Sequence, residues 1–377
     1  MKVLYITNGD GPSGSSTALL NIISNLKDKV DIEVVFPRKK GNFSTHLEQM
    51  GIKCYHFRST MYLYSPDKNP IKRVMHNLYT YWCRYYGLLR LLLIAKRIKP
   101  DIIHTNNGPT IIGYDCAKIM KIPHVWHLRE YIDKDFGMHP IPTLLSYTKK
   151  YADPINTCVT ITDGVRDHFN LKENALTIYD GALNGKPLKS DIKDKMFLFA
   201  GRLQEAKGTI CLLKAFADYV HKGGKFDLWF AGECPKDMGL AMTKLINENG
   251  LQQRVKILGY RTDVNKLMSR AKALFVPSRF EGFGFITAEA MYNHCLVVGR
   301  DTAGTKEQFD NGIRLTGKEI GLRFLDDSDI TRIMFDIEKY DYSDYVDRAF
   351  YVASQLYSAE KNASRIYELY NEIIRKI

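Results

Sequence analysis

Short apolar runs alternate with longer stretches of mixed polarity along the whole chain. In the first half the runs are VLYIT from Val3, IEVVF from Ile32, IIHT from Ile102, HVWHL from His124 and CVTI from Cys158. Runs this short, bounded by turn residues, read as buried strands, and the stretches between them have helical length and spacing. After a more polar stretch, GALNGKPLKSDIKDK from Gly181, the alternation restarts with MFLFAG, FDLWFAG, VKILG, ALFVP and LVVG. Strand–helix alternation predicts parallel β-α-β units. The pattern therefore predicts an α/β protein with two doubly wound, Rossmann-like domains and the polar stretch as linker. Sheets of this kind bind ligands outside the carboxyl ends of their strands, so the expected site is the cleft that the two domains face. The predicted boundaries are 1–182, 183–357 and a closing helix over 358–377. In that helix Ala363, Ile366, Tyr367, Tyr370 and Ile374 recur at helical spacing, and it is long enough to pack across the domain boundary.

Composition changes this picture little. The 377 residues, 45% hydrophobic and 25% charged, suit two globular domains and exclude a disordered or fibrous chain. Charge changes it more. Lys and Arg number 54 against 42 Asp and Glu, and a net charge of +12 calls for an anionic partner. The seven cysteines are scattered and contain no C-x-x-C, which predicts neither a disulfide framework nor a zinc site and points to a reducing cytoplasm. The opening residues lack an apolar signal core. The longest lipid-like run, 88–95, is too short to span a bilayer and is interrupted by Arg90.

After the first strand, GDGPSGSST sets Gly9, Gly11 and Gly14 in the G-x-G-x-x-G pattern ahead of a helix. Glycines let the backbone approach a phosphate, and the helix N-terminus favours its charge. A strand-to-helix turn capped by Ser and Thr gives the same letters. A dinucleotide enzyme would place an acid after the second strand for the ribose. Here stand Pro37, Arg38, Lys39 and Lys40, which disfavours NAD and leaves an NADP-dependent Rossmann enzyme as an alternative.

The second half carries sharper chemistry. MFLFAG runs into GRLQEAKG, where Arg202 and Lys207 flank a loop before a helix. Two cations beside a helix N-terminus suit a pyrophosphate, although a solvated turn has the same composition. Further on, SRFEGFGFITAEAM holds Glu281 and Glu289 eight residues apart, with Gly282, Phe283 and Gly284 in the loop and a helix from Phe285. The loop amides can donate to a phosphate, the loop carboxylate can accept sugar hydroxyls, and the helical carboxylate can accept both hydroxyls of a ribose. A glutamate followed by Ala290 and Met291 is unusual in a helix that packs in a core.

These motifs together resemble the retaining GT-B glycosyltransferases of the large family 4. The resemblance covers nearly the whole chain, and its most specific part is the E-x7-E motif EGFGFITAE preceded by GRLQEAKG. It implies that Arg202 and Lys207 hold the donor diphosphate, that Glu281 contacts the donor sugar and that Glu289 binds the ribose. VKILGYR resembles the place where such enzymes bind the base through backbone groups near Leu258, Tyr260 and Arg261. Gly11, Gly14 and Ser15 resemble the loop that approaches the diphosphate and acceptor, although GPSGSS departs from the common Gly-Gly-plus-basic form. His127 in VWHLRE resembles the donor-sugar histidine. Arg129 and Glu130 are acceptor-side candidates, or an ion pair that orders the loop.

The resemblance further implies a hexose-type sugar moved from a UDP-linked donor to a glycan or lipid-linked saccharide, as in polysaccharide biosynthesis. It favours front-face attack over a carboxylate nucleophile. Arg202, Lys207 and the loop amides would stabilise the diphosphate, and Glu281 and His127 the sugar, so no cofactor and no metal are expected. Asp133-x-Asp135 and Asp327-x-Asp329 are expected to be surface acids. A non-catalytic GT-B partner subunit would have lost these donor-side residues, and a sugar-nucleotide epimerase is a further fold relative.

The basic surplus is concentrated between Lys68 and Lys99, which holds eight Lys or Arg and no Asp or Glu. Ile71, Val74, Met75, Leu78, Trp82, Tyr85, Leu89 and Leu92 fall at helical spacing there, and Arg73, His76, Thr80 and Arg84 line another face. A basic helix over 69–99 edged with Trp and Tyr suits an anionic membrane surface, and so a cytoplasmic enzyme at the inner face of the membrane. A helix packed on the sheet with a solvated basic face accounts for the same letters. No nucleic-acid motif is present, and no nucleic-acid partner is expected.

Overall fold

A computed structural model describes all 377 residues except Pro12, residues 65–68, Asn174 and Ile377, and omits the side chains of Pro70, Asp135 and Phe136. Lys68 and the side chain of Asp135, both invoked above, therefore lie outside the described residues. The chain divides into two compact units, one formed by Met1–Ala182 with Ala359–Ile377, the other by Leu183–Ser358.

Unit 1 contains β1 (Lys2–Ile6), β2 (Asp31–Phe36), β3 (Lys53–His56), β4 (Leu63–Tyr64), β5 (Ile102–Thr105), β6 (His124–Leu128), β7 (His139–Pro140), β8 (Asn156–Thr160) and β9 (Ala175–Thr177). Seven of these form one sheet in the order β3-β2-β1-β5-β6-β8-β9, while β4 and β7 make a short antiparallel pair. Every pairing in the large sheet is parallel. Its central strands are buried on both faces, which is why they read as continuous apolar runs. The outermost strands, β3 and β9, are partly exposed and carry Lys and Thr, so they were not marked by such runs.

Helices α1 (Gly14–Leu26), α2 (Asn42–Gln49), α3 (Pro70–Ile98) and α4 (Ile112–Met120) follow β1, β2, β4 and β5. The closing helix Ala359–Arg375 packs along α1. Its Ile366 and Tyr370 enter the core formed by Val3, Tyr5, Leu19 and Ile22. Asn21 donates to the Gly181 carbonyl at 2.7 Å and Asn362 to that of Tyr179, also at 2.7 Å, so polar bonds fix the returning chain as well as apolar area.

The long helix α3 turns its faces the opposite way from a simple amphipathic reading. Thr80, Cys83, Leu91 and Ala95 are buried, and Arg84 forms a two-bonded ion pair with Asp115 of α4 at 2.8 Å. Ile71, Met75, Leu78, Trp82 and Leu89 lie on the far side, each more than half exposed. Leu92 departs from the expected stripe: it packs against the core beside Leu91 and Ala95.

Unit 2 is a six-stranded, wholly parallel sheet of β10 (Met196–Ala200), β11 (Asp227–Ala231), β12 (Val255–Ile257), β13 (Ala273–Val276), β14 (Leu296–Arg300) and β15 (Leu322–Phe324). The order is β12-β11-β10-β13-β14-β15. In both units the strand order reverses beside the first strand, between β1 and β5 and between β10 and β13. Loops diverge at such a point and leave a crevice at the carboxyl ends of the strands.

Candidate functional site

The candidate residues of unit 2 sit on the loops after β10, β12 and β13. The loop after β10 turns through Gly208 at φ +74° into the helix Thr209–His221. A side chain at 208 would be strained by that φ, and its Cβ would also come within 2.6 Å of the Pro277 carbonyl oxygen. This close approach locks the loop after β10 against the loop after β13. The Arg279 amide then reaches the Ala206 carbonyl at 3.3 Å, and the Lys207 ammonium meets the Glu281 carboxylate at 2.6 Å.

The loop after β13 is held from its other side by the helix Ala303–Thr316. The Gly304 amide donates to the Glu281 carbonyl at 2.9 Å, and buried Gln308 donates to the carbonyls of Phe283 and Gly284 at 2.7 and 3.0 Å. Gly284, at φ +89°, starts the helix Phe285–Tyr292. The Phe283 side chain packs on Phe285 and Tyr357, so this part of the loop contributes backbone to any ligand rather than its ring. Glu289 follows one turn into the helix. Burial alone pushes its carboxyl up to about 7, so a glutamate that would be charged in water holds its proton near neutrality.

Not every expected group converges on that pair. Arg202 is exposed and lies 3.4 Å from Glu233. The Leu258 amide, expected to serve a base, is already bonded to the Phe230 carbonyl at 2.8 Å as an extension of the sheet. Tyr260 is largely exposed, and Arg261 forms a two-bonded pair with Asp263. Of the acids in D-x-D patterns, Asp133 contacts His168, Asp327 pairs with Arg300, and Asp329 pairs with Arg332.

In unit 1 the glycine loop follows β1. Ser13 caps α1 by accepting from the Ser16 amide at 3.1 Å, and the Ser16 hydroxyl returns to the Gly11 carbonyl at 2.8 Å. Asp10 anchors the loop to the N-terminus of α2 by accepting from the amides of Gly41 and Ser44, both at 2.6 Å. A Cβ at Gly9 or Gly11 would meet no protein atom, so this face of the loop is open to a ligand. A polar chain then runs from the loop into the sheet. Asn106 donates to the Ser15 carbonyl at 3.1 Å and accepts from Arg129. Arg129 pairs in turn with Asp180 and donates to His127 Nδ1 at 3.3 Å.

Two consequences follow. The ion pair of this segment is Arg129–Asp180, not Arg129–Glu130. The Glu130 carboxylate instead accepts the Gly108 amide at 3.1 Å. Second, His127 is neutral, because burial and the neighbouring Arg129 hold its pKa well below the usual histidine value. A guanidinium can only donate, so Nδ1 must accept, and the ring proton sits on Nε2. That Nε2 is buried without a hydrogen-bond partner among the described residues. Asn106 and Asp180 went unmarked in the sequence, since neither stands in a motif and each gains its role only from a partner far along the chain.

Two doubly wound parallel units, each with a switch point beside its first strand, give the chain the GT-B fold. Residues 184–319 match the family model described as glycosyl transferases group 1. The match falls on the unit that carries the Lys207–Glu281 pair and supports sugar transfer rather than the NADP-dependent alternative. Among curated relatives, the capsular polysaccharide biosynthesis glycosyltransferase CapH of Staphylococcus aureus is 23% identical over 81% of this chain and 83% of its own. The UDP-Gal:alpha-D-GlcNAc-diphosphoundecaprenol alpha-1,3-galactosyltransferase of Escherichia coli is 24% identical over 59% of this chain and 65% of its own. Other curated relatives are matched over only about 30% of their length. The fold agrees with that of HepE from Anabaena, crystallised with UDP and glucose, at a TM-score of 0.76 and 19% identity over 99% of this chain and 100% of that one.

Proposed function

We propose that the chain transfers a hexose-type sugar from a UDP-linked donor to a glycan or lipid-linked saccharide, with retention at the anomeric carbon, as in family 4. The observation that carries this reading is the Lys207–Glu281 pair, 2.6 Å apart on two interlocked loops, with Glu289 one turn into the next helix. A diphosphate that takes the Lys207 ammonium releases Glu281 to accept sugar hydroxyls. The N-terminus of Thr209–His221 adds positive potential, and Arg202, now beside Glu233, is the second cation the diphosphate would recruit. Glu289 is suited to the two hydroxyls of a ribose. In unit 1, the unpartnered Nε2–H of His127 is a donor for a sugar hydroxyl, and the Gly11–Ser15 loop approaches the diphosphate. Arg129 is a positioning residue that orients the His127 ring, and Glu130 orders the loop at Gly108.

The proposed reaction is front-face substitution. The acceptor oxygen bonds to the anomeric carbon as the bond to the diphosphate breaks, and the acceptor proton passes to the leaving phosphate oxygen. Charge growing on the diphosphate is met by Lys207 and Arg202, so the scheme uses no metal ion. The group 1 match over unit 2 supports this reading, as do the donor and acceptor in the name of the Escherichia coli relative. The test is a panel of UDP-sugars with EDTA present, scoring UDP release and the anomeric configuration of the product by NMR. An inverted product refutes retention, loss of activity in EDTA refutes the metal-free scheme, and failure to bind UDP refutes the donor assignment.

A further inference from the structure

His127 is tied down by little hydrogen bonding of its own. Among the described residues its one hydrogen bond, from Arg129 to Nδ1, is 3.3 Å long. A bond of that length is weak and does not fix the plane of the ring by itself. Packing must do the rest, and His104 on β5 supplies it. The two ring centroids lie 5.5 Å apart with 33° between the planes. His104 stands opposite Val125 in the parallel register of β5 and β6. Side chains alternate along a strand, so His104 and His127 share one face of the sheet, with His104 one layer deeper.

His104 is itself held firmly. Its ring stacks on Tyr5 at 4.6 Å and stands perpendicular to the Tyr370 ring of the closing helix. Its Nδ1 lies 2.5 Å from the Tyr370 hydroxyl, which lies 2.5 Å from that of Tyr5. All three side chains are buried. Burial pushes both phenols up, so both keep their protons. Burial, with Arg129 and His124 nearby, holds the His104 pKa well below the usual histidine value, so the ring is neutral. Counting protons then fixes the direction of the chain. If Nδ1 donated to Tyr370, Tyr370 would donate to Tyr5, and the Tyr5 proton would be left without an acceptor in the core. If Tyr5 donates to Tyr370 and Tyr370 to Nδ1, every proton of the chain has an acceptor. His104 therefore carries its ring proton on Nε2, as His127 does. Both Nε2 atoms are buried without a hydrogen-bond partner among the described residues.

A buried hydroxyl–imidazole chain is costly where Leu or Phe would pack. The closing helix does not need it for anchorage, since Ile366 enters the core and Asn362 bonds the Tyr179 carbonyl. We propose that Tyr370 and His104 are positioning residues for sugar transfer: the Tyr370 hydroxyl sets the rotation and tautomer of the His104 ring, and His104 holds the His127 ring in the plane from which its Nε2–H meets the donor sugar. The inference rests on the glycosyl-transfer reading. It adds to that reading a part for the closing helix, whose Tyr370 lies 266 residues beyond His104.

The test compares Tyr370→Phe with Tyr5→Phe in the full chain. Each removes one buried hydroxyl, so a merely structural role predicts the same effect from both. The proposal separates them: in Tyr5→Phe the Tyr370 hydroxyl still donates to His104, and in Tyr370→Phe that donor is gone. The readouts are NMR of isotope-labelled imidazole nitrogens, assigned with His104→Phe and His127→Phe, calorimetry with UDP, and kcat for the UDP-sugar that turns over. Wild type and Tyr5→Phe should show His104 and His127 protonated on Nε2 alone. Tyr370→Phe should give His104 a mixture of tautomers and shift the His127 signals. It should also lower kcat at least about tenfold, with UDP affinity within about twofold of the wild type. Tyr370→Phe leaves the Tyr5 hydroxyl without its partner, so the variant loses stability as well. Tyr5→Phe/Tyr370→Phe strands no hydroxyl and should regain melting temperature while keeping the loss in kcat. A proton on Nδ1 of His104 in the wild type, unchanged His127 signals in Tyr370→Phe, or equal kcat in the two single variants each overturns the proposal. Any of these with UDP still bound defeats this inference alone, whereas a wild type that does not bind UDP defeats the glycosyl-transfer reading beneath it.

Discussion

Glu289→Gln separates the two things that a buried carboxyl does in unit 2. Burial raises its pKa from 4.5 to about 7. An acid whose pKa is raised on folding holds a proton in the folded chain that the unfolded chain has released. Stability from this group is therefore full below pH 4.5 and declines as pH rises through 7. The shift corresponds to roughly 3 kcal/mol as an upper bound at pH 8. Gln has the same shape and cannot ionise, so the variant should lose this decline. The assay is urea unfolding of the nucleotide-free protein from pH 4.5 to 8.5. The stability difference between the Glu289→Gln variant and wild type should move in favour of the variant by about 2–3 kcal/mol across that range. UDP binding supplies the second readout. Ribose hydroxyls bonded to an ionised Glu289 would favour deprotonation, so wild-type affinity should rise with pH through 7, and the variant should bind weakly without that slope. Parallel stability profiles for the two proteins would refute the argument, because they would mean that Glu289 is ionised and solvated in the folded state.

Three further outcomes follow from the same geometry. Lys207→Ala should lower kcat for sugar transfer about a hundredfold, while the melting temperature changes little because a partly exposed ion pair is worth about 1 kcal/mol or less; both are read from initial rates and thermal melts. His127→Phe fills the ring's space but removes the Nε2–H, so transfer should fall about a hundredfold with UDP affinity unchanged, measured by kinetics beside calorimetry. Asp180→Asn leaves the Arg129 guanidinium buried without its carboxylate and should cost about 3–5 kcal/mol in denaturant unfolding, and Arg129→Met/Asp180→Asn should cost less than the single change.

The central strands of both sheets were legible as continuous apolar runs because parallel sheets bury both faces. The strands β3, β9 and β15 were not, since each lies at a sheet edge and is only partly buried. The interlocked loops of Lys207 and Glu281 were legible for a local reason. Gly208 and Gly284 must adopt positive φ, so their spacing from Lys207, Glu281 and Glu289 records a backbone path. The polar chain of unit 1 has no such trace. Asn106 meets Ser15 across 91 residues and Arg129 meets Asp180 across 51, and both distances are consequences of strand order. The motif around His127 pointed to the ring but not to its tautomer, which depends on Arg129 two residues away along the strand turning back toward it.

Periodicity has a spacing but no direction, and α3 shows what that omits. Its apolar positions repeat every three or four residues, which identifies a face without saying what the face meets. A count of hydrophobic residues would send Leu78, Trp82 and Leu89 inward. The opposite face wins because it bears Thr80, Cys83, Gly87 and Ala95, small enough for close packing, and because Arg84 finds Asp115 on α4. Gly87 shows how tight that approach is: a Cβ there would lie 3.0 Å from Ser59, on the loop that follows β3. The same small residues that turn the apolar stripe outward thus seat α3 against the loop that follows β3. An exposed stripe of this size is costly in water, so the packing that seats α3 by its small residues leaves an apolar face that a partner would stabilise by covering it.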